Sequence, residues 1–294
     1  MREIQTVTHA RLEPRIAGCP GLFRPRAARR QGQYEVQDAL DVRYALGDVE
    51  LRVLAPHRPR PADLMMLAAI LALAGPGRLV PGQASAGLIE ALECEPSSAA
   101  AGSVLVRTTC SRLLKECGRK DGGKSRSAMI ESLIRLAALT AIVTREKQRV
   151  SMHLLSFSSD EESGEISLAL SPRLSVALVG RHVRLELAEM RAIGEHARVL
   201  YVRLCSWIDP GRERRIGIDV LCEYLWPQRA LRGWETRDRR RLVRRAMREL
   251  AGAGWRVKSD TRGVQYTIRR PAGGDGETPT ILGETPTRES AISL

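Results

Sequence analysis

The 294-residue chain carries 47 Lys and Arg against 34 Asp and Glu, a formal net charge of +13 and a pI near 10.1. That length suits two modest domains, each able to bury a core, and an aromatic content of 4% leaves those cores to Leu, Ile, Val and Ala. A zinc site is not expected: the six cysteines form no CxxC and the five histidines do not cluster with them. No secretory leader opens the chain, so reduced thiols and a cytoplasmic location are expected.

In chain order, residues 1–61 are rich in Pro, Arg and Gly and hold two strand-like pieces, 40–44 and 49–54. A Gly-Asp turn at 45–48 joins them, which predicts a small hairpin. Pro56, Pro59 and Pro61 lead into a helix over 62–74 that Gly75-Pro76-Gly77 stops. Its run 64–74 has no charge and is too short to cross a bilayer, so it reads as a buried core helix. The small, Ala- and Ser-rich residues 81–102 read as a loop or a short helix.

From a cap at Thr108 a helix is expected to run to Cys117, followed by the loop 118–124. A second helix, capped by Ser125 or Ser127, places Ile130, Leu133, Ile134 and Ala137 on one face. Strands at 139–144 and 150–157 enclose the turn 145–149, and 165–170 is a further strand. Residues 188–208 form one long helical pattern ended by Asp209-Pro210-Gly211. The same order then recurs. A short helix spans 218–225, a loop 228–235, a second helix capped by Thr236 runs to Gly252, and a hairpin pairs 255–260 with 264–268, where Val264, Tyr266 and Ile268 alternate inward. Helix, turn, helix and two-stranded wing, seen twice, is the winged-helix plan, in which the second helix enters the major groove. The Gly-, Pro- and Thr-rich tail repeats GETPT at 276–280 and 283–287 and is expected to be disordered.

The most heavily charged segment is 236–250, TRDRRRLVRRAMREL, with seven arginines in fifteen residues. Leu242, Ala246 and Leu250 recur every four residues, with Val243 and Met247 beside them, on one helical face. Arg237, Arg241, Arg244 and Arg248 fall on another, flanked by Arg240 and Arg245, and only Asp238 and Glu249 lie within the segment to neutralise them. Residues 211–270 hold 17 Lys and Arg against 7 Asp and Glu. A helix that docks by one stripe and shows guanidinium on the other suits a nucleic acid, because neutralising phosphates releases counterions.

Residues 118–125, GRKDGGKS, satisfy the phosphate-loop pattern GxxxxGK[ST]. That chemistry needs a strand before the loop, and the residues before it are helical by period. The alternative is a mobile basic loop whose Lys120, Lys124 and Arg126 meet the phosphates of DNA. No catalytic constellation emerges. His153, His182 and His196 are scattered, the acidic run 160–162 sits in a Ser/Gly turn, and Trp207, Trp226 and Trp255 read as core.

Six segments carry a family resemblance: 19–24 (CPGLFR), 40–48 (LDVRYALGD), 182–193 (HVRLELAEMRAI), 205–211 (CSWIDPG), 218–227 (IDVLCEYLWP) and 239–255 (RRRLVRRAMRELAGAGW). In this order the chain resembles the RepC replication initiators of IncQ-type plasmids from about residue 19 to residue 271. The resemblance implies binding of direct repeats (iterons) in double-stranded DNA at the replication origin. It also implies opening of a neighbouring AT-rich segment where a plasmid helicase and primase act, two winged-helix domains, and no enzymatic activity. The loop 228–235 and the tail after 271 are longer than the family pattern.

Composition, order and resemblance together predict an α+β chain: two winged-helix domains in pseudo-symmetric tandem, mainly helical with short hairpin wings. The expected divisions are an N-terminal extension with a small β-hairpin (1–60), a first winged-helix domain (61–180), a second (181–270) and a disordered tail (271–294). Arg237, Arg240 and Arg241 are the expected readers of guanine edges. Arg244, Arg245 and Arg248 are expected to grip phosphate and Lys258 and Arg262 to arm the wing. Lys120, Lys124, Arg126, Ser127, Glu131 and Arg135 are expected on the first domain's face. The expected partners are double-stranded DNA, helicase and primase, with a homodimer left open and no cofactor, metal or membrane. The rivals are a winged-helix transcriptional repressor and an ATP-binding loader built on 118–125 with Lys124.

Overall fold

A helical run without charge, such as 64–74, must be covered on every side, and the architecture is arranged round that need. The computed structural model describes residues 7–25, 39–75, 104–230 and 232–272. Cys94, the whole Ala/Ser-rich stretch 81–102 and both GETPT copies lie outside the described residues, as does the tail beyond 272. Helix α2 (Pro61–Ala74) is buried on all faces, with Leu64, Met65, Met66, Leu67, Ile70 and Leu71 at most 3% exposed. Each such side chain contributes roughly 1.5–3 kcal/mol relative to exposure. The helix touches β1 (His9–Leu12), β4 (Val104–Thr109) and helices α3 (Cys110–Glu116), α4 (Gly123–Ala137), α6 (Leu187–Ala192) and α7 (Glu195–Trp207). One hydrophobic cluster therefore runs from Ala10 to Ile268.

The remaining elements are α1 (Pro14–Gly18), β2 (Leu40–Leu46), β3 (Val49–Ala55), β5 (Thr140–Arg145), β6 (Gln148–His153), β7 (Leu155–Ser159), β8 (Glu165–Leu170), α5 (Pro172–Val179), β9 (Val183–Glu186), β10 (Glu213–Gly217), α8 (Ile218–Leu225), α9 (Gly233–Gly252), β11 (Arg256–Ser259) and β12 (Gln265–Arg269). The chain is a mixed α and β structure with small antiparallel sheets in the orders β1-β9, β2-β3-β5-β6, β4-β8-β7 and β10-β12-β11. Helix, helix and hairpin occur in that order at α3-α4-β5-β6 and again at α8-α9-β11-β12.

The expected N-terminal hairpin is present as β2-β3, turning at Gly47 with φ +59. Its strand β3 pairs with β5 from Leu54↔Thr140 to Val49↔Arg145, which widens the first hairpin into a four-stranded sheet. Strand β1 likewise pairs with β9, so residues 9–12 are built into a sheet with residues 183–186.

Several expected boundaries are corrected. The long helix expected over 188–208 is two helices, because Ile193 and Gly194 are extended. The broken ends are satisfied from a distance in sequence: Arg198 donates to the carbonyls of Met190 and Ile193 at 2.9 and 3.0 Å, and Gly194 N donates to Glu249 Oε2 at 2.8 Å. The strand expected over 150–157 divides at buried Leu154 into β6 and β7, which belong to different sheets. Thr109 replaces Thr108 as a cap, accepting from Arg112 N at 3.3 Å. Ser125 and Ser127 lie inside α4, whose N-cap is Gly122, and Thr236 lies inside α9, whose N-cap is Arg232. Helix α5, capped by Ser171 with Pro172 at its first position, was legible as a Ser-Pro start and was not read.

Candidate nucleic-acid interface

Helix α9 forms because its long unbranched Arg, Leu, Met and Glu side chains favour helix and one stripe of it can be buried. Val243, Ala246, Met247 and Leu250 are buried, Leu242 partly so, against α7 and α8. Gly254, at φ +97, turns the chain into β11. The opposite face shows Arg237, Arg241, Arg244, Arg245 and Arg248, all exposed.

These guanidiniums differ in what holds them. Arg240 makes a two-pronged pair with Asp219 on α8, Nε to Oδ1 at 2.8 Å and Nη2 to Oδ2 at 2.7 Å. The hydrogen bonds from Arg240 hold the Asp219 carboxyl below its usual range. Sequence reasoning counted only acids within the helix and missed this one, 21 positions upstream. With Asp219 57% exposed, the pair contributes only about 0–1 kcal/mol to stability. Arg241 meets Asp238, and Arg245 meets Glu249, within the helix. Arg239 is turned aside, over the Trp226 ring at 5.7 Å and onto the Gln228 carbonyl at 2.6 Å. Among the described residues Arg237, Arg244 and Arg248 make no ion pair.

The hairpin β11-β12 stands beside this helix. A Cβ at Gly263, in the turn at φ +63, would lie 3.6 Å from Arg244 Nε, so the turn and the helix share one surface. Asp260 fixes the turn by accepting from Val264 N at 2.8 Å. Lys258 and Arg262 are exposed on it. Tyr266 and Ile268 point inward as expected, whereas Val264 is 38% exposed. Strand β10 makes a third strand in which Arg215, Thr267 and Lys258 form one row. Arg215, Arg256 and Arg269 were counted in the charge excess but were not assigned a place.

The first copy is different. Lys120, Lys124 and Ser127 are exposed, and Arg126 is tied to Asp121 at 2.7 and 2.9 Å. Arg135 faces inward. Its Nε and Nη2 both donate at 2.9 Å to Asp63, which is fully buried in the first turn of α2 and also held by Ser132 and the Arg60 amide. Arg135 is thus a brace between α4 and α2 and leaves the set of candidate DNA contacts. Glu131 remains exposed one turn before it. Arg145 (paired with Asp48), Lys147 and Arg149 on the β5-β6 hairpin are exposed basic groups that sequence reasoning passed over.

The GRKDGGKS loop follows helix α3, where phosphate-loop chemistry calls for a strand. Gly118 and Arg119 line a cavity of about 220 Å³ with Met66, Cys117, Arg191 and Arg198, while Lys124 stands outside it on the exposed first turn of α4. Among the described residues no three His, Cys, Asp or Glu side chains gather as metal ligands, and no helix is long and apolar enough to cross a membrane. Cys19, Cys110, Cys117, Cys205 and Cys222 are free, and burial pushes the thiols of Cys19, Cys117 and Cys222 up to about 12.

Comparison with known proteins gives the family and the fold. The family model for replication protein C (RepC) matches residues 4–272. No curated protein matches the chain. Two crystal structures of domains 2 and 3 of RctB, one from selenomethionine derivatives, are similar in fold at 13% identity. The derivative structure has a TM-score of 0.54 over 89% of this chain and 99% of that one; the other has 0.55 over 88% and 97%. The chain belongs to the replication protein C family and is a replication initiator.

Proposed function

We propose that this member of the replication protein C family starts replication by binding tandem direct repeats in double-stranded DNA at its origin, through two winged-helix domains. Residues 181–270 are the principal reader and residues 61–180 sit on an adjacent groove. The observation that carries the reading is the guanidinium face of α9 beside the hairpin turn at Gly263. In this arrangement α9 lies in the major groove. Arg240, with Arg237 and Arg241, reads base edges, while Arg244, Arg245 and Arg248 meet phosphates. Lys258 and Arg262 follow the backbone from the wing, and Lys120, Lys124, Arg126 and Ser127 make the lighter contacts of the first domain. Binding along successive repeats opens neighbouring duplex and brings in the replicon's helicase and primase.

A footprint on the origin of the replicon that encodes the chain, repeated across a salt series, tests this. Protection in phase with tandem repeats, weakening as salt rises, is the expected result. Protection of a promoter palindrome alone would make the chain a repressor, and protection indifferent to sequence would leave a basic DNA-binding protein and refute the proposal.

A further inference from the structure

We infer that Asp219 sets DNA specificity through Arg240: by gripping one edge of the guanidinium it fixes the other edge to read a single guanine. The inference rests on the major-groove reading above and deepens it. A guanidinium has two forks, each able to make parallel paired hydrogen bonds. Arg240 commits its Nε/Nη2 fork to both oxygens of Asp219. The Nη1/Nη2 end remains, and its spacing matches guanine O6 and N7. The partners stand on different helices, Asp219 in the first turn of α8 and Arg240 in the N-terminal half of α9, so the aim of the fork is set by how the helices pack.

No other arginine of α9 is held this way among the described residues. Arg241 brings Nε and Nη2 to a single oxygen of Asp238 on its own helix, with a side chain 69% exposed. Arg245 reaches Glu249 through Nε, at 3.0 Å. A long side chain left unheld loses rotamer freedom when it binds a base, which weakens binding; Arg240 is ordered before DNA arrives. The carboxylate has a second effect, since it repels the phosphates of any sequence. Removing it therefore weakens discrimination and strengthens non-specific binding together, a combination that loss of a simple brace between helices does not produce.

The test uses the full chain and duplexes carrying the origin repeats, with each G·C pair exchanged in turn, beside an unrelated duplex of equal length. In the unsubstituted chain one exchange should weaken binding by about tenfold to a hundredfold. Arg240→Ala should abolish the penalty at that pair. Asp219→Asn should cut the same penalty to a few-fold, tighten the unrelated duplex, and add nothing to the discrimination loss of Arg240→Ala. Asp219→Glu, which keeps the charge and displaces the grip, should lose discrimination without the non-specific gain and guards against a folding defect. Full discrimination in Asp219→Asn, or equal weakening on every duplex, would overturn the inference while leaving the origin-binding reading intact. An unsubstituted chain that ignores sequence would overturn both.

Discussion

Helices α4 and α9 hold the same place in two copies of one element order, yet their arginines face opposite ways. The last arginine of α4 reaches back to a buried carboxylate, whereas Arg237, Arg241, Arg244, Arg245 and Arg248 of α9 stand in solvent on a helix with too few acids to neutralise them. The difference teaches that an arginine on a candidate recognition helix is open to a partner only if no buried acid claims it. One copy turns its last arginine into the core, and the other leaves most of its guanidiniums in solvent.

The largest effect that can break this comparison is on folding. Arg135→Ala leaves Asp63 buried and uncompensated and should cost about 3–5 kcal/mol in denaturant unfolding. Arg244→Ala and Arg248→Ala should each stay within about 0.5 kcal/mol, as exposed substitutions do. A stable Arg135→Ala chain would show that α4 does not depend on the buried pair.

Binding should follow the reverse ranking. The double variant Arg244→Ala/Arg248→Ala should lower affinity for every sequence and reduce the slope of log affinity against log salt by about 2, at about 0.9 for each lost phosphate contact. Lys120→Ala/Lys124→Ala should reduce it by about 1 or less. Equal slopes in the two variants would mean that both copies grip the backbone alike.

The smallest effect is a pH dependence confined to the second copy. His196 packs 5.7 Å from the Trp226 ring, and its Nε2 is buried with no hydrogen-bond partner among the described residues. Burial lowers its folded-state pKa below the ordinary 6.5. The unfolded chain therefore binds the proton first, so stability is present above about 6.5 and falls as pH drops through that window toward the folded pKa. The slope for one proton cannot exceed about 1.4 kcal/mol per pH unit. Trp fluorescence should report a melt that weakens from pH 7 to pH 5 in the native chain and does so less in His196→Asn.

What the sequence disclosed depended on how far each residue's partner lay along the chain. The bounds of α8, the buried stripe of α9 and the β2-β3 turn are local patterns of period and turn chemistry, and they were read correctly. The break at Ile193-Gly194 is invisible to period because the groups that stabilise it include Glu249. Arg135 reads as an ordinary polar-face residue until Asp63, 72 positions earlier, is placed beneath it. Arg240 was singled out for its position, but the acid that aims it belongs to the preceding helix. Pairings such as β1 with β9 and β3 with β5 join segments far apart, and no local periodicity announces them.

The central claim is that α9 lies in the groove of the origin repeats, and cutting DNA from a tether on that helix tests it directly. Arg237→Cys in a Cys94→Ser/Cys110→Ala background offers an exposed thiol, while burial pushes up the thiols of Cys19, Cys117, Cys205 and Cys222 and so disfavours their thiolates. An iron chelate coupled there should cut at one fixed position within each repeat, with the period of the repeats. Cuts scattered without register, or cuts in phase only when the tether is moved to Ser127 on α4, would contradict the account.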